Sequence, residues 1–186
     1  NNTITGNTVD GGDAGGGLSF GAGVAVDGNT TARILDNEFS DNSVLLTVGG
    51  FAGGAAIGLN AFARIDRIEG NYIHDNHTNG PAGCEAGGIV FPFQNYGRIL
   101  NNLILRNTTG DASQPSCGSS FPIGAGVKID AAAPLGEVAV TFAYNTVVDN
   151  MTLSTVEGMG GGLFLRRGNI SVTSSIFAGN NAIIDG

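Results

Sequence analysis

Apolar and polar residues alternate along this chain in short runs, and the runs recur every thirty to forty residues. Each repeat has an apolar residue between two asparagines, as in "NEFSDN", "NYIHDN", "NLILRN" and "NTVVDN". The copies begin at Asn2, Asn37, Asn71, Asn102, Asn145 and Ser175, so the steps are 35, 34, 31, 43 and 30 residues. Such short runs predict β-strands. Frequent glycine and β-branched apolar residues disfavour helix.

A glycine-rich segment and a short apolar strand follow each of the first five copies. These segments are "GAGVAV", "GGAAIGL", "AGGIVF", "GAGVKI" and "GGGLFL". Another alternating strand precedes the later copies and is clearest in "EVAVTFAYN". Three short strands in each repeat, without a helix, predict an all-β parallel β-helix of about five to six coils.

Equivalent residues of successive coils should stack in columns, about 4.8 Å apart. We expect three inward apolar columns: Ile4, Phe39, Ile73, Ile104, Val147 and Phe177; Ile34, Ile68, Ile99, Phe142 and Val172; and Val24, Ile57, Ile89, Val127 and Leu163. Two asparagine ladders should stack at tight turns: Asn37, Asn71, Asn102 and Asn145; and Asn7, Asn42, Asn76, Asn107, Asn150 and Asn180. The amides can bond one another and satisfy the backbone groups of the turns. Glycines suit corners with positive φ.

Composition narrows the classes of protein that fit this pattern. The 186 residues include 32 glycines, yet 41% are apolar, which is too many for a disordered glycine-rich linker. The net charge of −8 argues against a nucleic-acid binder or a protein of anionic membrane surfaces. No apolar run is long enough to span a membrane. We interpret residues 1–186 as a single β-helix domain and, because the chain opens inside a repeat, as a segment of a longer protein.

Two short motifs resemble those of a known group of surface proteins. "FSDN", "FAGN" and "GGAAI" resemble the repeat signature of chlamydial polymorphic outer-membrane proteins, and "ISVTSSIFAGNNA" is similar to repeats of secreted bacterial right-handed β-helix proteins. The resemblance covers essentially the whole chain and implies a right-handed, pectate-lyase-like helix. Such families include autotransporter passengers, adhesins and polysaccharide lyases.

We interpret the chain as a structural and adhesive protein of the bacterial outer surface or extracellular space, which presents loops to glycans or other cells. One alternative is a polysaccharide lyase or glycoside hydrolase that acts on an acidic polysaccharide. Another is a subunit of an extracellular filament that assembles end to end, since open β-helix ends favour stacking. The repeats are rich in residues that determine the fold and poor in convergent titratable groups, which favours the adhesive reading.

The two cysteines occupy equivalent loops of neighbouring coils. Cys84 precedes one glycine-rich strand and Cys117 precedes the next. We therefore predict a Cys84–Cys117 disulfide and an oxidising compartment, with two unpaired thiols as the alternative. We expect no metal site from these residues, because two cysteines and distant His77 supply too few zinc ligands.

Lys128, Asp130 and Arg166 form the candidate catalytic set. Alternation with inward Ile129 predicts that Lys128 and Asp130 point outward, and Arg166 follows the equivalent strand of the next coil. A basic residue beside carboxylates can abstract the proton next to a uronate carboxyl group, and the carboxylates could hold calcium. The alternative is that these are solvated surface charges.

Arg33, Arg67 and Arg98 form the candidate binding set. Each precedes an inward isoleucine, so the three should stack as an outward column. Such a column could bind an acidic glycan, or it could simply form surface ion pairs. Of the six Asn-x-Ser/Thr sequons, we expect Asn29 and Asn169 at more exposed corners, and we interpret the others mainly as by-products of the repeat.

Overall fold

The chain winds into a parallel β-solenoid in which each coil contributes up to five short strands. The computed structural model describes residues 1–11, 17–28, 30–47, 50–60, 63–80, 83–92, 96–111, 117, 123–130, 139–154 and 158–184. Every strand pairs in parallel with the equivalent strands of neighbouring coils. The predicted three strands per coil are too few, because the connection between the second turn and the glycine-rich strand also forms sheets.

We number the sheets in the order in which one coil visits them. Sheet 1 contains Thr31–Leu35, Arg64–Glu69, Tyr96–Leu100, Val140–Ala143 and Ile170–Thr173. Sheet 2 contains Thr3–Thr5, Glu38–Ser40, Tyr72–His74, Leu103–Leu105, Thr146–Val148 and Ile176–Ala178. Sheet 3 contains Thr8–Asp10, Ser43–Leu45, His77–Asn79, Thr108–Thr109, Met151–Ser154 and Asn181–Ile184. Sheet 4 contains Gly17–Phe20, Gly50–Gly53 and Gly83–Glu85. Sheet 5 contains Val24–Val26, Ile57–Leu59, Ile89–Phe91, Val127–Ile129 and Leu163–Leu165.

The solenoid makes about four complete turns. Sheet 1 has five strands among the described residues, so the chain passes four times from one of them to the next. A partial turn precedes Thr31–Leu35, and another ends the described chain in sheet 3. The predicted five to six coils are slightly too many if only complete turns are counted.

The register of the strands confirms the three predicted apolar columns, although Val172 and Phe177 in the last described coil are exposed. Ile73 lies between Phe39 and Ile104 in sheet 2, and Ile99 lies between Ile68 and Phe142 in sheet 1. These columns and the column of sheet 5 form the main core. Burial of each such side chain contributes about 1.5–3 kcal/mol of hydrophobic stabilisation.

The two asparagine ladders are also confirmed, and a residue with positive φ precedes each rung. Asn107 is fully buried; its Nδ2 donates to Asn150 Oδ1 at 2.9 Å, to the Ile73 carbonyl at 3.0 Å and to the Leu105 carbonyl at 3.3 Å. The last of these bonds spans Arg106, whose φ is +52°. Residues with positive φ stand before every rung: Gly6, Asp36, Asp41, Gly70, Asp75, Asn101, Arg106, Tyr144, Asp149, Ser174 and Gly179. Eight of them are not glycine, so the ladder bonds offset a cost of about 1–2 kcal/mol at each.

The glycine-rich repeat forms a narrow neck between the main core and a smaller one. The smaller core lies between sheets 3 and 4 and is built on Val44 and Leu46. At the neck the chain passes directly against the next coil. A Cβ on Gly126 would lie 2.5 Å from the Gly162 carbonyl oxygen and 3.1 Å from the Asn150 side chain. Only very small residues fit there, which explains the recurring glycine and alanine before sheet 5.

Threonines form an inward column in sheet 3. Thr78, Thr109 and Thr152 are buried and stack in register, and the Thr78 and Thr109 hydroxyls lie 2.6 Å apart. Each is the third residue of an Asn-x-Thr sequon whose asparagine is a buried ladder rung. These sequons therefore serve the fold. Asn169 is exposed, and Asn29 lies outside the described residues.

Candidate functional site

Four arginines lie on sheet 1 in three successive coils. We call Arg33, Arg64, Arg67 and Arg98 the basic strip; they are half of the eight basic residues of the chain. The same three strands carry two carboxylates, Asp66 and Glu69, so the strip has a local charge of 4 − 2 = +2 in a chain of net charge −8. Arg33 and Arg98 expose 63% and 49% of their side chains. The strip is thus a local basic surface on an acidic protein.

Asp66 lies between two arginines of the strip. The register of sheet 1 shifts within Arg64–Glu69, so this strand is irregular at Asp66 and Arg67. Arg33 Nε donates to Asp66 Oδ2 at 2.5 Å; Arg98 Nε donates to the Asp66 carbonyl at 3.1 Å, and Arg98 Nη2 contacts Oδ1. The hydrogen bonds from Arg98 and then Arg33 hold the pKa of Asp66 below its ordinary value of 3.8. Asp66 therefore carries a negative charge at neutral pH.

Arg67 has a different environment, although it lies in register with Arg33. Its Nη1 donates to Glu69 Oε2 at 3.1 Å, within the same strand. Its Nε is buried and has no hydrogen-bond partner among the described residues. The predicted column is therefore not uniform, because Arg33 and Arg98 share Asp66 whereas Arg67 is tied to Glu69.

The alternative in which Lys128 is a solvated surface charge is wrong, because Lys128 is buried. Only 3% of its side chain is exposed, and its Nζ forms an ion pair with Glu85. Lys128 lies in register with buried Val90 and with Phe164 on sheet 5, while Glu85 lies on sheet 4. The outward side chains of these two sheets thus pack against each other around the glycine-rich corner.

Asp130 and Arg166 do lie together, but in an ion-pair cluster separate from the Lys128–Glu85 pair. The Asp130 side chain is 1% exposed and accepts two bonds from Arg167, at 2.8 and 3.1 Å. Arg166 Nη1 lies 3.5 Å from the same carboxylate. The structure therefore brings Asp130 to Arg166 and Arg167, and pairs Lys128 with Glu85. None of these acidic groups is presented openly to solvent.

The two histidines have separate partners. His74 lies between Glu38 and Asp75, with ring nitrogens 3.2 and 2.7 Å from their carboxylates. Asp75 also accepts two bonds from Arg106, at 2.8 and 2.6 Å, and these bonds lower the pKa of Asp75. His77 contacts Thr108, and burial lowers the pKa of His77. No group of three metal-ligating side chains occurs among the described residues.

Cys84 and Cys117 form the predicted disulfide, with Cα atoms 5.1 Å apart. Both residues are buried. The bond ties the sheet 4 strand Gly83–Glu85 to Cys117 of the next coil, next to Glu85. It therefore restrains the part of the solenoid where the buried Lys128–Glu85 pair lies.

Three residues of these sites escaped sequence reasoning. Asp66 is hidden because the strand "RIDRIE" contains an irregularity that moves it beside Arg33 and Arg98. Glu85 is separated from Lys128 by 43 residues, and only the coil spacing relates them. Arg64 had a visible signal, since it begins the strand that contains Arg67.

Comparisons with known proteins give the family and nothing narrower. No curated protein and no solved structure matches the chain. The described residues contain no helix long and apolar enough to cross a membrane. A family model described as "Right handed beta helix region" matches residues 1–185, in agreement with the parallel pairing of every sheet. The chain therefore belongs to the right-handed β-helix family.

Proposed function

We propose that this protein is an extracellular or cell-surface β-helix with a structural and adhesive role, and that it binds acidic glycans through the basic strip. The observation that carries the proposal is the position of half of the basic residues on one sheet of a protein with net charge −8. A disulfide that is buried in the fold supports an oxidising compartment.

The strip has the chemistry that recognition of carboxylates or sulfates needs. Arg33 donates Nε to Asp66, and most of its side chain is exposed, so its terminal amino groups can approach a ligand. A guanidinium group can bind an anionic oxygen pair with two parallel hydrogen bonds. Exposed Arg64 begins the strand between Arg33 and Arg98 and adds positive charge to the same surface.

The lyase alternative receives little support from the environments of its candidate residues. A base that abstracts a proton from a polymer must reach the substrate in its uncharged form. Lys128 is buried and paired with Glu85, and Asp130 is covered by Arg166 and Arg167. Binding without turnover is therefore the expected behaviour.

Binding of acidic polysaccharides by wild type, the double variant Arg33→Ala/Arg98→Ala and the single variant Arg106→Ala tests this proposal. Arg106 is a matched control: it is as exposed as Arg98 and also paired with an aspartate, but it follows sheet 2. We expect the double variant to bind at least about tenfold more weakly, since charged hydrogen bonds contribute about 1.5–3 kcal/mol each.

Two results would contradict the proposal. One is equal binding by wild type and the double variant in buffer of low ionic strength, where surface electrostatics are least screened. The other is release of unsaturated uronates, measured by ultraviolet absorbance with calcium present, because this would identify a lyase.

A further inference from the structure

We infer that the ligand of the basic strip is a linear polysaccharide that lies along the solenoid axis and carries an anionic group on every second sugar. The inference rests on the proposed function and adds the charge pattern of the ligand. It follows from how the charges of the strip are divided among the coils.

The strip alternates in charge from coil to coil. Thr31–Leu35 carries one arginine and no acid, so its charge is +1. Arg64–Glu69 carries two arginines and two acids, so its charge is zero. Tyr96–Leu100 carries one arginine and no acid, so its charge is again +1. The positive coils are therefore separated by one neutral coil.

Contacts within the strip hold a negative charge between the two outer arginines. Asp66 of the middle coil accepts hydrogen bonds from both Arg33 and Arg98, and Arg67 is tied to Glu69. The middle coil thus presents carboxylate oxygens to a ligand as well as guanidinium groups. An anionic group above Asp66 would meet like charge, whereas a neutral sugar could donate its hydroxyl groups there.

The spacing fits a polysaccharide that crosses the strands. Adjacent coils are about 4.8 Å apart, so Arg33 and Arg98 are roughly 9.6 Å apart along the axis. One coil is close to the advance of one sugar in an extended chain, and two coils are close to a disaccharide. A ligand that ran parallel to the strands would instead cross the column of Arg33, Arg67 and Arg98 at a single coil and could not contact both Arg33 and Arg98 in this way.

The surroundings of the strip favour the same direction. Leu35 and Leu100 lie two residues after Arg33 and Arg98 and stand in register on either side of Glu69, so the position beside each outer arginine is apolar and the position between them is acidic. Along the axis, the column that contains Arg98 continues to Thr141 and Ser171. These hydroxyl groups can bond neutral sugars beyond the charged part of the site.

Two probes of matched length separate the possibilities: hyaluronan oligosaccharides, with a carboxylate on alternate sugars, and oligogalacturonates, with a carboxylate on every sugar. Affinities are measured in a calcium chelator, so that neither probe is bridged by calcium. We expect wild type and the control Arg106→Ala to bind hyaluronan about tenfold more tightly than oligogalacturonate. A tenfold difference in affinity corresponds to about 1.4 kcal/mol, which we assign to one unfavourable contact between an oligogalacturonate carboxylate and Asp66.

Asp66→Asn tests the cause of the preference. It removes one negative charge from the middle coil, whose charge changes from zero to +1, and it frees Arg33 and Arg98. Binding of both probes should therefore strengthen, and the preference should fall toward unity. Glu69→Gln removes the other acid of that coil, keeps both bonds to Asp66, and should reduce the preference less. If Asp66→Asn does not fold, Glu69→Gln alone decides the test.

The outcomes distinguish the two proposals. No binding of either probe by folded wild type would overturn the proposed function. Binding without a preference for hyaluronan, or an unchanged preference in the folded acid-to-amide variants, would overturn this inference and leave the proposed function standing.

Discussion

At the scale of single residues, the buried Lys128–Glu85 pair makes each partner depend on the other. Loss of one partner leaves the other charge in a largely apolar seam beside Val90 and Phe164. Removal of one member of a buried pair typically costs about 3–5 kcal/mol, whereas replacement of both by apolar residues is often neutral. Removal of one partner is therefore expected to cost far more than replacement of both.

We expect Glu85→Leu to lower the free energy of unfolding by about 3–5 kcal/mol, because it leaves the buried Lys128 charge without its partner. The double variant Glu85→Leu/Lys128→Met should recover most of that loss. Urea denaturation of both single variants and the double variant gives the coupling energy. A double variant no more stable than Glu85→Leu would contradict this account.

Asp66 predicts a pH dependence of stability. Its pKa is lowered in the folded state by Arg98 and Arg33, so the unfolded chain binds the proton more readily. The stabilisation is therefore present above the ordinary aspartate pKa and is lost as the pH falls through the folded value. The difference in the free energy of unfolding between wild type and Asp66→Asn should therefore decrease as the pH falls into the acid range. Urea denaturation at several pH values measures this difference. A difference that is constant with pH would contradict the expectation.

At the scale of elements, each turn depends on a ladder asparagine that bridges a residue of positive φ. Asn107 makes such a bridge across Arg106, accepts from Asn76 Nδ2 at 2.9 Å and donates to Asn150. The rung is buried, so water cannot replace these bonds. The ladder therefore stabilises the turn and joins three coils together.

We expect Asn107→Ala to lower the free energy of unfolding by at least about 3 kcal/mol, because several buried polar groups lose partners worth about 1–3 kcal/mol each. Asn7→Ala is the matched control, since Asn7 belongs to the same ladder but is exposed in the first coil. Its effect should stay near 1 kcal/mol. Chemical denaturation compares the two, and equal losses would show that burial does not set the value of a rung.

At the scale of the whole molecule, the disulfide should add stability that does not depend on the ladders. It closes a loop with a sequence separation of 33 residues. The chain-entropy model gives about 3–4 kcal/mol for such a loop. We expect Cys84→Ala/Cys117→Ala to lose about this much in urea denaturation. Reductant should destabilise wild type and leave the variant unchanged; an effect on both would point to another cause.

The architecture could be predicted because the residues that determine it recur at equivalent positions of successive coils. Columns such as Phe39, Ile73 and Ile104 recur at the coil spacing, and so do the ladder asparagines. Sheet 3 was missed because its inward residues Thr78 and Thr109 are polar and do not repeat the apolar pattern.

The environments of charged residues were harder to predict for a related reason. Strand alternation gives the direction of Lys128 but not what covers it, and its partner Glu85 lies on another sheet. The position of Asp66 beside Arg33 and Arg98 depends on an irregularity of its strand that does not recur in the other repeats that the structure describes. Sequence periodicity therefore reports what every coil shares, while the candidate site consists of what single coils do differently.

The asparagine ladders also give the solenoid an electrical polarity. In each linked pair, Nδ2 points toward the following coil and Oδ1 toward the preceding one, from Asn2 to Asn37 and from Asn150 to Asn180. Because Nδ2 also bonds backbone carbonyls, the amides cannot reverse. Their dipoles add along the axis, unlike the nearly cancelling dipoles of a sheet. A coil stacked beyond Asn180 would meet amide donors, and one stacked before Asn2 would meet amide acceptors, so the ladders favour head-to-tail over head-to-head contact between copies.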